Sequence, residues 1–577
     1  MSLHGRILTI YGNMVTTEVK GAVRQNAVAY CRRSDGVPLM AEIIRIRGNL
    51  ADMQVFELTR GLKVGDEVEV TDELLSVELG PGLLGKIYDG LQNPLPKLAE
   101  KIGLFLTPGN YLPPLDRNLK WAFTPMVKPE DTVRAADRLG KVPEGIFDHF
   151  VMAPFDLKGE WQVKSITPAG EYTIESEMAV IARDGETRSL TMINRWPVRF
   201  PLGVYEERLL PTEPLITKQR IIDTFFPIMR GGTYCIPGPF GSGKTVLQQI
   251  TSRHAEADVV IIAACGERAG EVVETLREFP HLPDPRTGRT LMERTIIVCN
   301  TSSMPVAARE SSIYTAVTLG EYYRQNGQHV LLLADSTSRW AQALREMSGR
   351  LEEIPGEEAF PAYLESSIAR FYERAGVVRL RDGRTPSLTI GGAVSPAGGN
   401  FEEPVTQGTL KVVGAFLGLS YARSYARRFP AIDPLDSWSK YHGIISSEKV
   451  AWAHSFLKRG RSIFEMMQVV GEEGTSTDDY VVYLKSEFLD TIHLQQNSFD
   501  EVDAAYSVER QQYLFDFVCR VLDHQFTFAD KEEARDLFFT LTEQFQNWKY
   551  SPWESQGMKE AEDKINTILA DGGTANA

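Results

Sequence analysis

The sequence predicts a multidomain α/β protein, with an N-terminal β-barrel, a β-rich insertion, a core on a parallel sheet and a C-terminal helical bundle. Three observations support this. A chain of 577 residues exceeds the roughly 250 to 300 residues that one hydrophobic core serves. Alternating strands give way to continuous apolar strands near Thr233, and helical spacing takes over after about Leu435. The predicted domains are 1–72, 113–195, 73–112 together with 196–437, and 438–577.

Composition and charge narrow the class of protein. Hydrophobic residues make up 43% and charged residues 24%, which is ordinary for a globular protein. No apolar run reaches the roughly 18 to 20 residues that span a bilayer, and the first residues lack the apolar core of a secretory signal. We therefore expect a cytoplasmic protein. A net charge of −15 argues against nucleic acid as a partner.

The five cysteines are scattered, odd in number and without metal-ligand spacing. They are predicted to be buried free thiols.

The first segment alternates apolar and polar residues in short runs, such as 44–47 and 67–70, with turns at Gly48-Asn49 and Gly65-Asp66. This pattern predicts a small β-barrel. Residues 113–195 are also β-rich and are punctuated by proline and glycine. Here we predict strands at 172–182 and 189–194 that face each other across a turn at Asp184-Gly185.

The core pattern consists of short strands that are apolar on both faces and alternate with helical stretches, which predicts a parallel sheet covered on both sides. The predicted strands are 233–236, 258–264, 295–299, 330–334 and 387–394. In the C-terminal segment one apolar helical stripe is predicted, comprising Leu514, Phe517, Val518, Val521 and Leu522. Asp530 and Glu533 predict a helix start of the capping-box type. The tail at 572–575 is expected to fray.

The chemistry begins with a glycine-rich loop of the pattern G-x-x-x-x-G-K-[ST], placed between a predicted strand and a predicted helix. Its residues are Gly238, Pro239, Phe240, Gly241, Ser242, Gly243, Lys244 and Thr245, and the helix opens with Val246. Backbone N–H groups of such a loop wrap phosphates. Lys244 is predicted to neutralise the β- and γ-phosphates, and the Thr245 hydroxyl to bind Mg²⁺. The alternative is a glycine-rich turn with an exposed lysine.

Two further groups follow predicted strands. Asp335 ends the strand 330–334, where an aspartate of a P-loop enzyme holds Mg²⁺, although a turn or cap residue is the alternative. Glu267 and Arg268 follow the strand 258–264 in a predicted loop over the sheet's carboxyl edge. A carboxylate there orients the attacking water and an arginine screens developing charge, whereas a solvated Glu–Arg pair is the alternative.

Four separated motifs resemble, in order and spacing, the catalytic A subunit of V-type and archaeal-type rotary ATPases. They are 238–245, 266–268, 334–340 and 429–437. The resemblance runs essentially end to end, and it includes 78–84 and the 113–195 insertion, which sets A subunits apart from F-type beta subunits. It implies a RecA-like P-loop core.

The resemblance assigns roles by position. Glu267 matches the catalytic glutamate that polarises water, and Arg268 matches an arginine contacting the γ-phosphate, with Glu271 as a supporting carboxylate. Asp335 matches the Mg²⁺-binding aspartate. Phe429 matches the aromatic residue that packs on adenine, with a core phenylalanine as the alternative. Phe499 is assigned to the same pocket.

The resemblance also implies cofactors and partners. Mg²⁺ accompanies ATP or ADP, and three copies alternate with three B subunits that supply an arginine finger in trans. Central-stalk and peripheral-stalk subunits complete a soluble sector that contacts the membrane sector indirectly. Ser242 stands where many eukaryotic A subunits carry an oxidisable cysteine, so a bacterial or archaeal member without a P-loop disulfide is expected.

Two other classes remain as alternatives. A non-catalytic paralogue usually lacks the lysine or the glutamate, and both Lys244 and Glu267 are present. A ring-shaped RNA translocase disagrees with the acidic balance.

Overall fold

A computed structural model describes residues 3–103, 107–268, 270, 273, 277–302 and 304–570. The chain divides into two compact units. The first comprises residues 1–211, 257–394 and 402–412, and the second comprises 212–256, 395–401 and 413–577.

The first unit begins with a closed six-stranded barrel. Its strands are Leu3–Tyr11, Met14–Val19, Ala27–Arg32, Pro38–Arg47, Leu50–Val55 and Glu67–Leu74. The alternation predicted from sequence is the cause: Val68 and Val70 belong to the buried barrel core, while Glu67 is exposed. A Cβ at Gly5 would lie 2.6 Å from the carbonyl oxygen of Glu18, so glycine permits the close approach of two strands there.

The insertion forms two four-stranded antiparallel sheets. One contains Thr132–Val133, Trp161–Ile166, Ala179–Arg183 and Glu186–Leu190, and the other contains Phe147–Met152, Arg138–Glu144, Lys120–Pro125 and Gly170–Thr173. The turn at Asp184-Gly185 is confirmed, since both residues have positive φ and join Ala179–Arg183 to Glu186–Leu190. The predicted strands 172–182 and 189–194 are wrong in extent, because a turn at 174–178 separates two strands that belong to different sheets.

The first unit also contains a parallel sheet. In spatial order its strands are Ile87–Tyr88, Thr295–Thr301, Val259–Glu267, Val330–Asp335 and Ser387–Val394. An antiparallel edge follows, made of Gly376–Arg379 and Glu207–Leu209. The α-helices of this unit are Leu95–Ile102, Val306–Gln325, Thr337–Arg350, Leu364–Tyr372 and Pro404–Leu410. Every residue of Val330–Asp335 is buried, as expected of a strand covered on both faces.

In the second unit, Thr233–Pro237 pairs in parallel with Ala415–Phe416, which pairs antiparallel with Trp438–Ser439. The last strand lies beyond Leu435, so strands end slightly later than predicted. The α-helices of this unit are Lys244–His254, Tyr421–Tyr425, Ser447–Val470, Thr477–Leu489, Val508–Asp523, Lys531–Tyr550 and Gln556–Ala570, with π-helical turns at Ile221–Phe225 and Asp490–Leu494.

The helical region follows its sequence signals closely. All five residues of the predicted stripe in Val508–Asp523 are buried. Asp530 caps the helix Lys531–Tyr550, accepting a hydrogen bond from the Glu533 N–H at 2.9 Å. Glu533 bonds back to the N–H of Ala529 rather than to that of Asp530.

These elements confirm the predicted fold class of barrel, β-rich insertion, parallel-sheet core and helical C-terminal region. The four domain boundaries remain predictions. All five cysteines are free; four are buried and Cys519 is partly exposed. Among the described residues, no helix is long and apolar enough to cross a membrane. The tail at 572–575 lies outside the described residues.

Candidate nucleotide-binding site

The glycine-rich loop lies in the second unit, between the strand Thr233–Pro237 and the helix Lys244–His254. Gly241 and Gly243 have φ of 80° and 92°, in the left-handed region that side chains with a Cβ avoid. Gly243 is the N-cap of the helix. The first N–H groups of the helix and its positive dipole end therefore follow the loop directly, as in anion-binding helix starts.

Lys244 folds back on this loop. Its Nζ donates to the carbonyls of Gly238 and Pro239 at 2.8 and 2.9 Å, and the residue is only 9% exposed. Ser242 Oγ donates to the Pro239 carbonyl at 2.7 Å. A Cβ at Gly238 would lie 2.6 Å from Ser242 Oγ and 2.8 Å from Leu419 Cβ. The loop is thus closely packed around the lysine, and the alternative of an exposed lysine on a surface turn is wrong.

The remaining loop residues have different surroundings. Thr245 is half-buried in the first helical turn, and Phe240 is 68% exposed at the tip of the loop. Val246 is partly exposed and lines a cavity on the next face of the helix.

This cavity has a volume of about 420 Å³ and belongs wholly to the second unit. It is lined by the helix after the loop, by residues 427–431 and by residues 495–499. Phe429 and Phe499 both line it, with 46% and 90% of their surfaces exposed. The Gln496 N–H donates to the Phe429 carbonyl at 2.8 Å, which ties the two aromatic segments together. The structure therefore places the two predicted aromatic residues on one cavity that begins at the glycine-rich loop.

A buried charge cluster holds the segment 495–499. Asp503 accepts hydrogen bonds from Arg220 Nη1 at 2.6 Å and from the Asn497 N–H at 2.7 Å. Lys549 Nζ lies 3.3 Å from the same carboxylate and donates to the Gln495 carbonyl at 2.7 Å. All three charged side chains are at most 5% exposed.

Burial lowers the pKa of Lys549 to about 8, with the neighbouring Arg220 lowering it further and Asp503 opposing the shift. Burial alone would raise the pKa of Asp503, but Arg220 and Lys549 hold it below its usual value. No local pattern in the sequence predicted this cluster, because Arg220 lies 283 residues before Asp503 and Lys549 belongs to the separate helix Lys531–Tyr550.

In the first unit, Glu267 and Asp335 end neighbouring parallel strands. Where Val259–Glu267 pairs with Val330–Asp335, Ala264 lies opposite Asp335. Where the same strand pairs with Thr295–Thr301, the register shifts between Cys265 and Glu267. Glu267 therefore ends the strand Val259–Glu267 after an irregularity, and the prediction of a loop from Cys265 onward is wrong. Gly266, with φ of 77°, permits this geometry.

The charges of both carboxylates act on one buried thiol. Burial raises the pKa of Cys265 to about 12, and the charges of Glu267 and Asp335 add to the shift. Asp335 is 7% exposed, Glu267 is half-buried and Arg268 is exposed. Glu271 lies outside the described residues.

Two further arginines pack against Gly266, the residue before Glu267. A Cβ at Gly266 would lie 2.7 Å from Arg309 Cδ and 3.1 Å from Arg339 Cβ. Burial lowers the pKa of Arg309, and the nearby Arg339 charge lowers it further. Arg339 belongs to the motif 334–340, whereas the sequence carried no comparable signal for Arg309.

Each unit offers an oxygen donor of the kind that Mg²⁺ accepts beside phosphates and water: the Thr245 hydroxyl in the second unit and the buried Asp335 carboxylate in the first. Among the described residues, no group of three or more His, Cys, Asp or Glu side chains forms a metal site.

Three domain models of the ATP synthase alpha/beta family match the chain: the β-barrel domain at residues 7–72, the barrel-sandwich domain at 112–199 and the nucleotide-binding domain at 218–439. Over 568 residues the chain is 62% identical to the V-type ATP synthase alpha chain of Treponema denticola, covering 98% of this chain and 96% of that protein.

The chain belongs to the family of V-type ATP synthase alpha chains.

Another member of this family, from Borrelia duttonii, is 59% identical over 570 residues and covered to 99% in both chains. The fold is also similar to the assembled ATPase EscN of the type III secretion system of enteropathogenic E. coli, with a TM-score of 0.62 at 21% identity. That match covers 89% of this chain and 99% of EscN. The relatives named here are bacterial, as expected from Ser242.

Proposed function

We propose that this chain is the catalytic subunit of a rotary ATPase, which couples ATP hydrolysis or synthesis to ion translocation across a membrane. The observation that carries the proposal is Lys244, buried in a glycine-rich loop that opens a helix. Membership of the V-type ATP synthase alpha chain family supports it, and ATP or ADP is the nucleotide that the family name implies.

The loop binds the phosphates of the nucleotide. Lys244 at present bonds to the carbonyls of Gly238 and Pro239. When nucleotide binds, phosphate oxygens would replace these carbonyl oxygens as acceptors for Lys244 Nζ. Hydrogen bonds from the ammonium to a charged phosphate oxygen are stronger than those to a neutral carbonyl. The N–H groups of the loop and of the helix start, with Ser242, Gly243 and Thr245, complete the cradle.

Mg²⁺ is the proposed cofactor, with Thr245 and Asp335 as its protein ligands. When bound, the ion neutralises part of the charge that builds on the phosphates. Asp335 suits this role because its carboxylate ends a buried strand, at the edge where ligands of open α/β sheets bind.

Glu267 is the proposed general base. In hydrolysis its carboxylate accepts a proton from the attacking water, the water oxygen bonds to the γ-phosphorus, and the bond to the β–γ bridging oxygen breaks to release ADP. Arg268 contacts the γ-phosphate and offsets the developing charge. Gly266 positions Glu267 by allowing the strand to end in an irregularity against Arg309.

The cavity beside the glycine-rich loop receives the adenine base of the nucleotide. Phe429 offers an aromatic face for stacking, and Phe499 stands on the opposing segment 495–499. The Gln496–Phe429 backbone hydrogen bond keeps the two walls together.

The family name implies an assembly with other ATPase subunits. We propose three copies alternating with three B subunits, each of which supplies an arginine finger, and central-stalk and peripheral-stalk subunits that link the ring to the membrane sector. An arginine supplied in trans adds about 10³ to 10⁵ in rate. The isolated chain should therefore bind nucleotide and turn over slowly.

The test compares Glu267→Gln with Glu365→Gln, an exposed glutamate on the helix Leu364–Tyr372, in the assembled complex. Glu267→Gln should retain MgATP affinity within about twofold and lose about 10² to 10⁴ in turnover. Glu365→Gln should behave as wild type. Wild-type turnover in the Glu267→Gln complex would refute the assignment.

A further inference from the structure

A second cavity, of about 600 Å³, lies wholly within the first unit and is distinct from the nucleotide site. Its walls come from the barrel, from residues 199–208, from the helix Val306–Gln325 and from residues 363–375. The lining is rich in arginine. Five arginines contribute to it: Arg199, Arg208, Arg324, Arg370 and Arg374.

Two of these arginines are neutralised by carboxylates. Arg199 bonds to Glu42 at 2.7 Å and to Glu310 at 2.5 Å. Arg374 makes two hydrogen bonds to Glu321, at 3.0 and 2.5 Å. These groups form buried ion pairs that hold the cavity walls together.

The other three arginines form no ion pair with any residue that the structure describes. Arg324 is the most informative, because it is only 4% exposed. Its Nη1 and Nη2 donate to the carbonyls of Arg374 and Leu202 at 3.0 and 3.5 Å. Its Nε has no hydrogen-bond partner among the described residues. The buried guanidinium is therefore held by two carbonyl oxygens and by the ring of Tyr205, whose centroid lies 5.6 Å from Arg324 Cζ, and by no ion pair among the described residues.

The electrostatic surroundings of Arg324 are unfavourable for its charge. Burial is the main cause that lowers its pKa; Glu321 and Tyr205 oppose the shift, and the positive charges of Arg208 and Arg374 add to it, so that the pKa stays below its usual value. Glu321 already accepts hydrogen bonds from Arg374, so its single negative charge is shared between two buried arginines. A buried cation without its own counter-charge is costly, and an anion in the cavity would relieve that cost.

We propose that this cavity binds a small multivalent oxyanion of the phosphate class, held by the buried Arg324 and by the exposed Arg208 and Arg370. Arginine suits such a ligand because its planar fork donates two parallel hydrogen bonds to an oxyanion. Arg208 donates one Nη2 hydrogen bond to the Ala375 carbonyl at 2.7 Å, which orients it. Glu373 also lines the cavity and contributes one negative charge. Against three arginines, a divalent or trivalent anion neutralises the remaining positive charge better than a monovalent one.

The test titrates the full chain with sodium phosphate by calorimetry, against sodium chloride at equal ionic strength. Saturating MgADP is present throughout, so that the glycine-rich loop is occupied. The double variant Arg208→Gln/Arg370→Gln changes exposed residues only. Its single-site control is Arg379→Gln, an exposed arginine paired with Glu207 that does not line the cavity.

Wild type and the control should bind phosphate, and the double variant should lose about tenfold or more in affinity. Phosphate binding no tighter than chloride, or equal binding in the double variant, would overturn the proposal. A parallel titration with tripolyphosphate identifies the source of the anion: tighter binding indicates a polyphosphate chain, and equal binding indicates free phosphate.

A second variant addresses the buried group. In wild type, phosphate should raise the melting temperature in the presence of MgADP, and Arg324→Met should abolish that rise. A rise of the same size in Arg324→Met would contradict the role of Arg324. If this variant fails to fold, the titration of the exposed pair still decides the question.

Discussion

Replacing Asp503 by asparagine would leave two buried cations without their shared carboxylate. Asp503 is fully buried, and it contacts Arg220 at 2.6 Å and Lys549 at 3.3 Å. Removing one partner of a buried ion pair costs about 3 to 5 kcal/mol. Asparagine keeps one oxygen as an acceptor, and Lys549 can lose its proton, so we expect about 3 kcal/mol, near the lower limit.

The measurement is native-state hydrogen exchange, because unfolding of a chain of several domains is not two-state. The segment 493–503 should open more readily, and a loss of about 3 kcal/mol corresponds to about 10² in protection. The control is Asp516→Asn, which removes the same charge from an exposed pair with Lys449 in the same unit. Exposed pairs contribute about 0 to 1 kcal/mol, so protection should change by less than about fivefold.

The nucleotide provides a second readout. Asp503 accepts a hydrogen bond from the N–H of Asn497, a residue that lines the proposed adenine cavity. Asp503→Asn should therefore weaken MgATP binding while leaving tripolyphosphate binding to the glycine-rich loop unchanged. Protection in Asp503→Asn equal to that in Asp516→Asn would refute the energetic argument. An equal loss for both ligands would refute the positioning of the base wall.

Other expectations follow from single sites. The pKa of Lys549 is about 8 in the folded chain and 10.5 as its ordinary value, so the unfolded chain binds more protons between these values. Its contribution to stability therefore rises with pH across that window, and the free energy for unfolding of the second unit in wild type relative to Lys549→Met should increase by about 3 kcal/mol between pH 8 and 10.5; a flat difference would contradict it. Gly266→Ala should cost about 1 to 3 kcal/mol and reduce turnover with little change in nucleotide affinity, because a Cβ there meets Arg309; unchanged turnover would contradict the positioning of Glu267. Burial raises the pKa of Cys31 and Cys299 to about 12, so a disulfide reagent at pH 8 should modify the native chain slowly and all five thiols after denaturation in urea; rapid native labelling would contradict this.

Local signals predicted much of the fold. The five strands of the core, the buried stripe of Val508–Asp523 and the Asp530 cap depend on periodicity and neighbouring residues, which the chain carries wherever it folds. The turn at Asp184-Gly185 was predicted for the same reason. The extent of the strands around it was not, because only the sheets decide which residues pair.

The candidate site divides in the same way. By itself, the sequence determined the glycine-rich loop, because its glycines, lysine and threonine are contiguous and set their own backbone geometry. The ends of the predicted strands likewise pointed to Asp335 and Glu267. The register shift at Gly266 was not predicted, because it depends on how Val259–Glu267 pairs with Thr295–Thr301. Tertiary structure alone decided the Asp503 cluster and the cavity of Arg324. These depend on burial and on charges from distant segments, and the energy of a charge is set by what surrounds it in space.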